Sequence, residues 1–245
     1  VPARDEAATV ARALRGVCAA LDRAQRHGMV DACAVEVAAH RCRDATAERA
    51  RAVLRGRPGA AVHRDETSTS VGEVRAAAVR RALARLPGPP DRTWVLSTDA
   101  DTDVGPGWVL DILQESDRTG AVAVVGLAPL DGWHGGPEGA EAYERVVAAK
   151  LGGGGLHQHD HVYGANLAVR ADAYLDVGGF RATDHGEDQA LVDALALAGH
   201  RLLRTRAVTV VTSGRLQGRA RGGLAEHLAR LDSAGRVVRD ETPLS

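Results

Sequence analysis

Asp99 and Asp101 stand one residue apart in Ser-Thr-Asp-Ala-Asp-Thr, residues 97–102, directly after the apolar run Trp94-Val95-Leu96. The run reads as a buried strand, and Asp103-Val104-Gly105-Pro106 closes the segment with turn chemistry. Two carboxylates on irregular chain at a strand's carboxyl end can converge on one divalent cation. Hard oxygen ligands select Mg²⁺ or Mn²⁺, and such an ion usually holds substrate phosphates as well. The plainer alternative is a solvated acidic turn, since short motifs recur by chance.

Three further clusters bear on that choice. Gly186-Glu187-Asp188 opens a helical pattern. Acids are favoured there by capping and the helix dipole alone. A carboxylate fixed at that point is also a candidate general base for a substrate hydroxyl. Thr212-Ser213-Gly214-Arg215 follows the Val208–Val211 run, with Arg219 and Arg221 beyond. Arginines and backbone N–H groups at a strand end suit a diphosphate; a solvated arginine loop is the alternative. His157, His159 and His161 alternate after four glycines, 152–155. With no Cys or Glu at a recognised ligand spacing, they read as a mobile polar loop near the substrate rather than a zinc site.

The elements that must position these groups alternate strand and helix through the first hundred residues. Asp5 is expected to cap a helix running to about residue 24, with Val10, Leu14, Val17, Cys18 and Leu21 on its apolar face. A strand over 32–39, a helix capped by Asp44, a short strand over 60–62, a helix over 71–86 and the strand 94–98 follow. This order predicts an α/β fold with a mostly parallel sheet flanked by helices. The second half predicts helices at about 106–117, 138–150, 171–177, 187–198 and 224–232, and strands at 121–127, 162–169 and 201–211. Val1-Pro2 looks like the last residues of a strand, so a first strand is expected ahead of Val1.

Composition narrows the function classes. The formal net charge of −1 and 3% aromatics argue against a nucleic-acid partner. Lys150 is the one lysine among 31 basic residues, a codon bias that suggests a GC-rich bacterium. Three cysteines without a Cys-X-X-Cys pair point to a reducing, cytoplasmic setting. No apolar stretch approaches the roughly 18 residues of a membrane span, and no leader pattern is visible.

Two enzyme classes compete for Asp99-X-Asp101. Asp99-Ala-Asp101-Thr102 matches the haloacid-dehalogenase-like phosphatase pattern, with Lys150 and the 186–188 acids in tolerable order. In that family, however, the nucleophile strand opens the chain. A broader match is to family 2 glycosyltransferases of the GT-A fold. Val1-Pro-Ala-Arg-Asp-Glu6, Cys42-X-Asp44-X-Thr46, Gly72-X-X-Arg75, Ser97–Thr102, Tyr163-Gly-Ala-Asn166, Gly178-Gly-Phe180 and Gly186-Glu-Asp188 resemble its motifs in order. The chain is most similar to small bacterial members related to sugar-phosphoglycerate synthases.

The resemblance implies a single GT-A domain, with a nucleotide-binding half at about 1–103 and an acceptor half at about 104–245. It implies hexosyl transfer from a nucleoside-diphosphate sugar to an acceptor hydroxyl of unassigned identity, with Mg²⁺ or Mn²⁺ as cofactor. Pro2, Ala3 and Glu6 would lie against the nucleoside. Arg75, Asp99, Asn166, Arg215 and Arg219 would serve the donor; Asp101, with Asp99, would hold the metal; Asp188, beside Glu187, would be the base. Such enzymes often form homodimers. A phosphatase, or a non-catalytic nucleotide-sugar-binding protein, is the alternative. Many members carry an acid after the second strand; here Ala39-His40-Arg41 stands instead, which leaves the nucleobase open.

Overall fold

The computed structural model describes residues 1–216 apart from 134, 152–158 and 160, together with 226, 228–230, 232 and 233. In chain order it forms β1 (Pro2–Ala3), α1 (Val10–Arg26), β2 (Val35–His40), α2 (Thr46–Leu54), β3 (Ala60–Asp65), α3 (Val71–Leu83) and β4 (Trp94–Ser97). It continues with β5 (Thr102–Val104), α4 (Trp108–Thr119), β6 (Ala123–Leu127), β7 (Leu130–Asp131), α5 (Pro137–Leu151), β8 (Leu167–Arg170), α6 (Ala171–Asp176), α7 (Glu187–Leu197) and β9 (Leu202–Ser213).

The strands form two ladders. β1, β2 and β3 are parallel neighbours, as the strand–helix alternation requires. The second ladder runs β4-β8-β6-β9-β5, with β7 beside β9. It is mixed: β8 is antiparallel to β4 and β6, and β5 is antiparallel to β9, while β6 and β7 lie parallel to β9. Residue alternation sorts the two faces of this ladder. Val124 and Ala168 join the core under α1 and α4; Ala123, Val125, Leu167 and Val169 join the core under α6 and α7. The result is a sheet layer between two helix layers.

Local chemistry explains most boundaries. α1 buries Val10, Ala13, Leu14, Val17, Ala20 and Ala24, a stripe at helical spacing. α3 starts on a capping box, in which Ser70 accepts from the Glu73 N–H and Glu73 reaches back to the Ser70 N–H. Two expected caps move. Asp5 does not cap α1; its φ is +53°, and its carboxylate accepts from the Arg43 N–H at 2.7 Å, while Thr9 occupies the cap position. Asp44 does accept from the Thr46 N–H at 3.0 Å, but it stands one residue before the cap position of α2. The strand expected over 162–169 shifts to 167–170, because 164–166 tighten into a 3-10 turn. The helix expected over 224–232 lies largely outside the described residues.

Candidate active site

Strand ends bring the sequence-distant acids together. Asp99 and Asp101 leave β4, and Glu6 leaves β1, while Arg215 lies beyond β9. Glu187 and Asp188 begin α7 behind Gly186, whose φ of +71° turns the chain into the helix.

Arg75, on α3, is the central tie. Its side chain is 6% exposed. Nε donates to Glu187 at 2.8 Å, Nη1 to Ser97 Oγ at 2.8 Å, and Nη2 to Asp99 at 2.7 Å. The Phe180 ring lies 5.9 Å from its guanidinium carbon. Burial alone would lower the Arg75 pKa; Asp99 and Glu187 outweigh it and hold the pKa above its ordinary value. The same burial pushes the Glu187 carboxyl up, against the pull of Arg75. α3 comes this close because residue 72 is glycine. A Cβ there would sit 1.8 Å from the Arg181 carbonyl oxygen.

A second arginine ties the other acids. Arg215 Nη1 donates to Glu6 Oε2 at 2.9 Å, and its Nη2 donates to Glu6 Oε1 at 2.5 Å. Nη2 also lies 3.0 Å from Asp101 Oδ2. The Asp101 pKa is pushed up to about 6 by burial and then by neighbouring Asp99, with Arg215 pulling the other way. Glu6 is held in place from the turn after β2 and the start of α2: its N–H donates to Thr46 Oγ1 at 2.7 Å, and the Ala7 N–H donates to Asp44 at 3.0 Å.

Asp188 is half-buried and presents Oδ2 to the Gly164 N–H at 2.6 Å. Its Oδ1 accepts from the Gln189 N–H at 2.8 Å. Glu187 and Asp188 therefore differ in kind. Glu187 is locked against Arg75, and Asp188 is the carboxylate that solvent reaches.

The remaining expected residues fall as follows. Pro2 and Ala3 form β1, and the Ala3 carbonyl accepts from Cys42 Sγ at 3.4 Å. Asn166, expected beside the sugar or acceptor, is 1% exposed. Its Oδ1 accepts from Trp108 Nε1 at 2.9 Å, and its Nδ2 donates to the Leu127 and Val208 carbonyls. That side chain ties the 164–166 turn to β6 and β9. Arg219 and His157 lie outside the described residues. His159 and His161 are buried rather than part of a solvated loop. His159 Nε2 lies 3.2 Å from the Val125 carbonyl oxygen, and the His161 ring stacks on Tyr163. Ser97 and Gly164 join the site through contacts that no local spacing reveals: Ser97 Oγ accepts from Arg75, and the Gly164 N–H donates to Asp188.

The donor chemistry of the site fits a divalent cation. Asp99 and Asp101 offer hard carboxylate oxygens, and the burial that raises the Asp101 pKa is a charge penalty a cation would relieve. No helix among the described residues is long and apolar enough to cross a membrane.

No family model and no curated protein sequence matches this chain. Solved structures do. A mannosyltransferase of Pyrobaculum calidifontis, solved with GDP-Man and Mn²⁺, is similar over 99% of this chain at 16% identity and a TM-score of 0.64. Staphylococcus aureus TarS, residues 1–349 with UDP-GlcNAc, is similar over the whole chain at 14% identity and a TM-score of 0.61. This chain spans 64% of the first and 66% of the second. Glucosyl-3-phosphoglycerate synthase of Mycobacterium tuberculosis, with Mn²⁺, UDP and phosphoglyceric acid, is similar at 20% identity and a TM-score of 0.50, with 78% of its chain covered. The likeness extends over both ladders and the helices around them, and at these identities it establishes architecture: the chain is built on the GT-A glycosyltransferase fold.

Proposed function

We propose that this chain is a family 2 glycosyltransferase that moves a hexosyl group from a nucleoside-diphosphate sugar to an acceptor hydroxyl. The observation that carries this reading is the pair of arginine ties. Arg75 joins Asp99 to Glu187, the neighbour of Asp188 at the start of α7, and Arg215 joins Asp101 to Glu6. Metal-grade carboxylates, a diphosphate-grade arginine and a candidate base thus share one strand-end edge. The solved neighbours include proteins that bind UDP or GDP sugars and Mn²⁺, which supports the same reading. The phosphatase alternative loses support, because the chain is built on the GT-A fold and Asp99, its would-be nucleophile, is paired with Arg75.

In this reading Asp99 and Asp101 hold Mg²⁺ or Mn²⁺. The ion supplies charge stabilisation to the diphosphate as it leaves. Pro2, Ala3 and Glu6 border the nucleoside, and Arg215 turns from Asp101 to the diphosphate oxygens. Asp188 takes the proton from the acceptor hydroxyl as that oxygen bonds to the anomeric carbon. The bond from that carbon to the phosphate oxygen breaks, and its electron pair leaves with the diphosphate. Attack from the face opposite the leaving group inverts the sugar. Glu187 and Arg75 position the base and Asp99.

The test is Asp188→Asn against wild type with a panel of UDP-, GDP- and dTDP-sugars. Removing a general base is expected to cost roughly 10²–10⁴-fold in transfer while nucleotide binding persists. Transfer at the wild-type rate would remove Asp188 from the role. A protein that binds nucleotide sugar but turns none over, with or without Asp188, would be a binding protein.

A further inference from the structure

Glu6 and Arg215 stand 209 positions apart, and each is fixed from its own side of the site. Glu6 starts the turn from β1 into α1. Its carbonyl accepts from the Thr9 and Val10 N–H groups, and its own N–H donates to Thr46 Oγ1. Thr46 Oγ1 in turn donates to Asp44, which also accepts from the Ala7 N–H. The Thr9 hydroxyl donates to Glu6 Oε2 at 2.8 Å. Backbone and carboxylate are thus both set by α1 and α2. Arg215 has an equally fixed root. β7 holds the end of β9, with Leu130 and Asp131 opposite Thr212 and Ser213. Gly214 then packs so closely on the chain after β7 that a Cβ there would lie 2.0 Å from the Gly132 carbonyl oxygen.

Two details show what the Glu6 carboxylate does. First, both of its oxygens are engaged. Oε2 accepts from Arg215 Nη1 at 2.9 Å as well as from Thr9, and Oε1 accepts from Arg215 Nη2 at 2.5 Å. This is a two-pronged, charge-assisted pair on a side chain only 7% exposed. To accept from a nucleoside N–H or O–H, Glu6 would have to give up part of that pair, and a buried carboxylate that loses its cation is heavily penalised. Second, the pair is aimed. Arg215 Nη2 also lies 3.0 Å from Asp101 Oδ2, so Glu6 holds the guanidinium against a candidate metal ligand.

We infer, resting on the function proposed above, that Glu6 is a positioning residue: its carboxylate seats Arg215 at the diphosphate and does not read the nucleoside it borders. Nη2 carries two hydrogens, which serve Glu6 and Asp101. Once Asp101 ligates a cation, the hydrogen it held turns to a diphosphate oxygen beside that cation, while both bonds to Glu6 stay in place. Arg215 thus exchanges one acceptor for another without leaving its seat. A side chain held in advance loses little freedom when the ligand arrives, which is where the affinity comes from.

Calorimetric titration of UDP and GDP at saturating Mn²⁺, with uridine and guanosine as competitors, separates the two roles. Glu6→Gln is expected to weaken the bound diphosphate about tenfold or more, while the matching nucleoside competes within about twofold of its strength on wild type. Glu6→Asp keeps the charge, and with it the fold, but withdraws the carboxylate by one methylene; it should weaken the diphosphate about threefold or more. In an Arg215→Gln background, Glu6→Gln should add less than about twofold, because its partner is already gone. A nucleoside weakened as much as its diphosphate would overturn the inference. So would wild-type affinity in Glu6→Gln or Glu6→Asp, or independent losses in the double variant. Wild type that binds neither diphosphate with Mn²⁺ would overturn the proposed function itself, and the inference with it.

Discussion

Replacing Arg75 by methionine tests the frame of the site. The substitution keeps an unbranched side chain and removes the guanidinium. It deletes hydrogen bonds to Glu187, Ser97 and Asp99. Asp99 is a third exposed and can recover water, so its loss costs little. Glu187 is different: its side chain is 7% exposed, and it would keep a buried charge without its partner. Breaking a buried pair in this way costs about 3–5 kcal/mol. At roughly 2–4 °C per kcal/mol for a chain of this size, the melting temperature should fall by about 6–20 °C. Arg75→Lys should also destabilise, since an ammonium cannot reproduce the three-way fork. The control is the double variant Arg75→Met with Glu187→Leu, which removes both charges and should recover most of the loss. Urea denaturation of the four proteins gives the values. A single-variant loss under about 1 kcal/mol, or a double variant no better than the single, would refute the reasoning.

Two further outcomes follow from the same geometry. Asp101→Asn should stabilise the metal-free protein at pH 7. The folded pKa of about 6 lies above the ordinary value of 3.8, so the carboxyl's contribution is full below about 3.8 and is lost as pH rises through 6. The rise from 3.8 to about 6 caps the gain at about 3 kcal/mol. Arg215 loses one acceptor in the variant, so about 1–2 kcal/mol is expected; melting curves at pH 4 and pH 7 should show the gain only at the higher pH. Gly72→Ala should cost about 2 kcal/mol or more, because its Cβ meets a backbone carbonyl that cannot step aside; a change within 0.5 kcal/mol, the range of ordinary surface substitutions, would contradict the close approach.

The sequence carried the architecture through periodicity. The α1 stripe and the apolar runs of β2, β4, β6 and β9 are visible without coordinates, because α1 buries one stripe while inner strands such as β2 and β6 are buried on both faces. Thr102–Val104 and Leu130–Asp131 were not visible as strands. They are three and two residues long, and they exist because β9 runs past β6 and offers an edge. The acids of the site were legible as motifs. Their wiring was not: the partners of Arg75 lie up to 112 positions away and those of Arg215 up to 209. Asn166 shows the limit of a motif, for its side chain is spent on Trp108 and two carbonyls of the core. The histidines show it too, because an alternating polar run gives no sign that β6 and β9 carbonyls will bury it.

The central claim is that Asp99 and Asp101 grip a metal-bound nucleoside diphosphate. Titration calorimetry of UDP and GDP, with and without Mn²⁺, on wild type and Asp101→Ala measures this directly. The account predicts binding of one nucleotide that depends on Mn²⁺ in wild type and is lost in Asp101→Ala. Binding that is equal without Mn²⁺, or unchanged in Asp101→Ala, would contradict it.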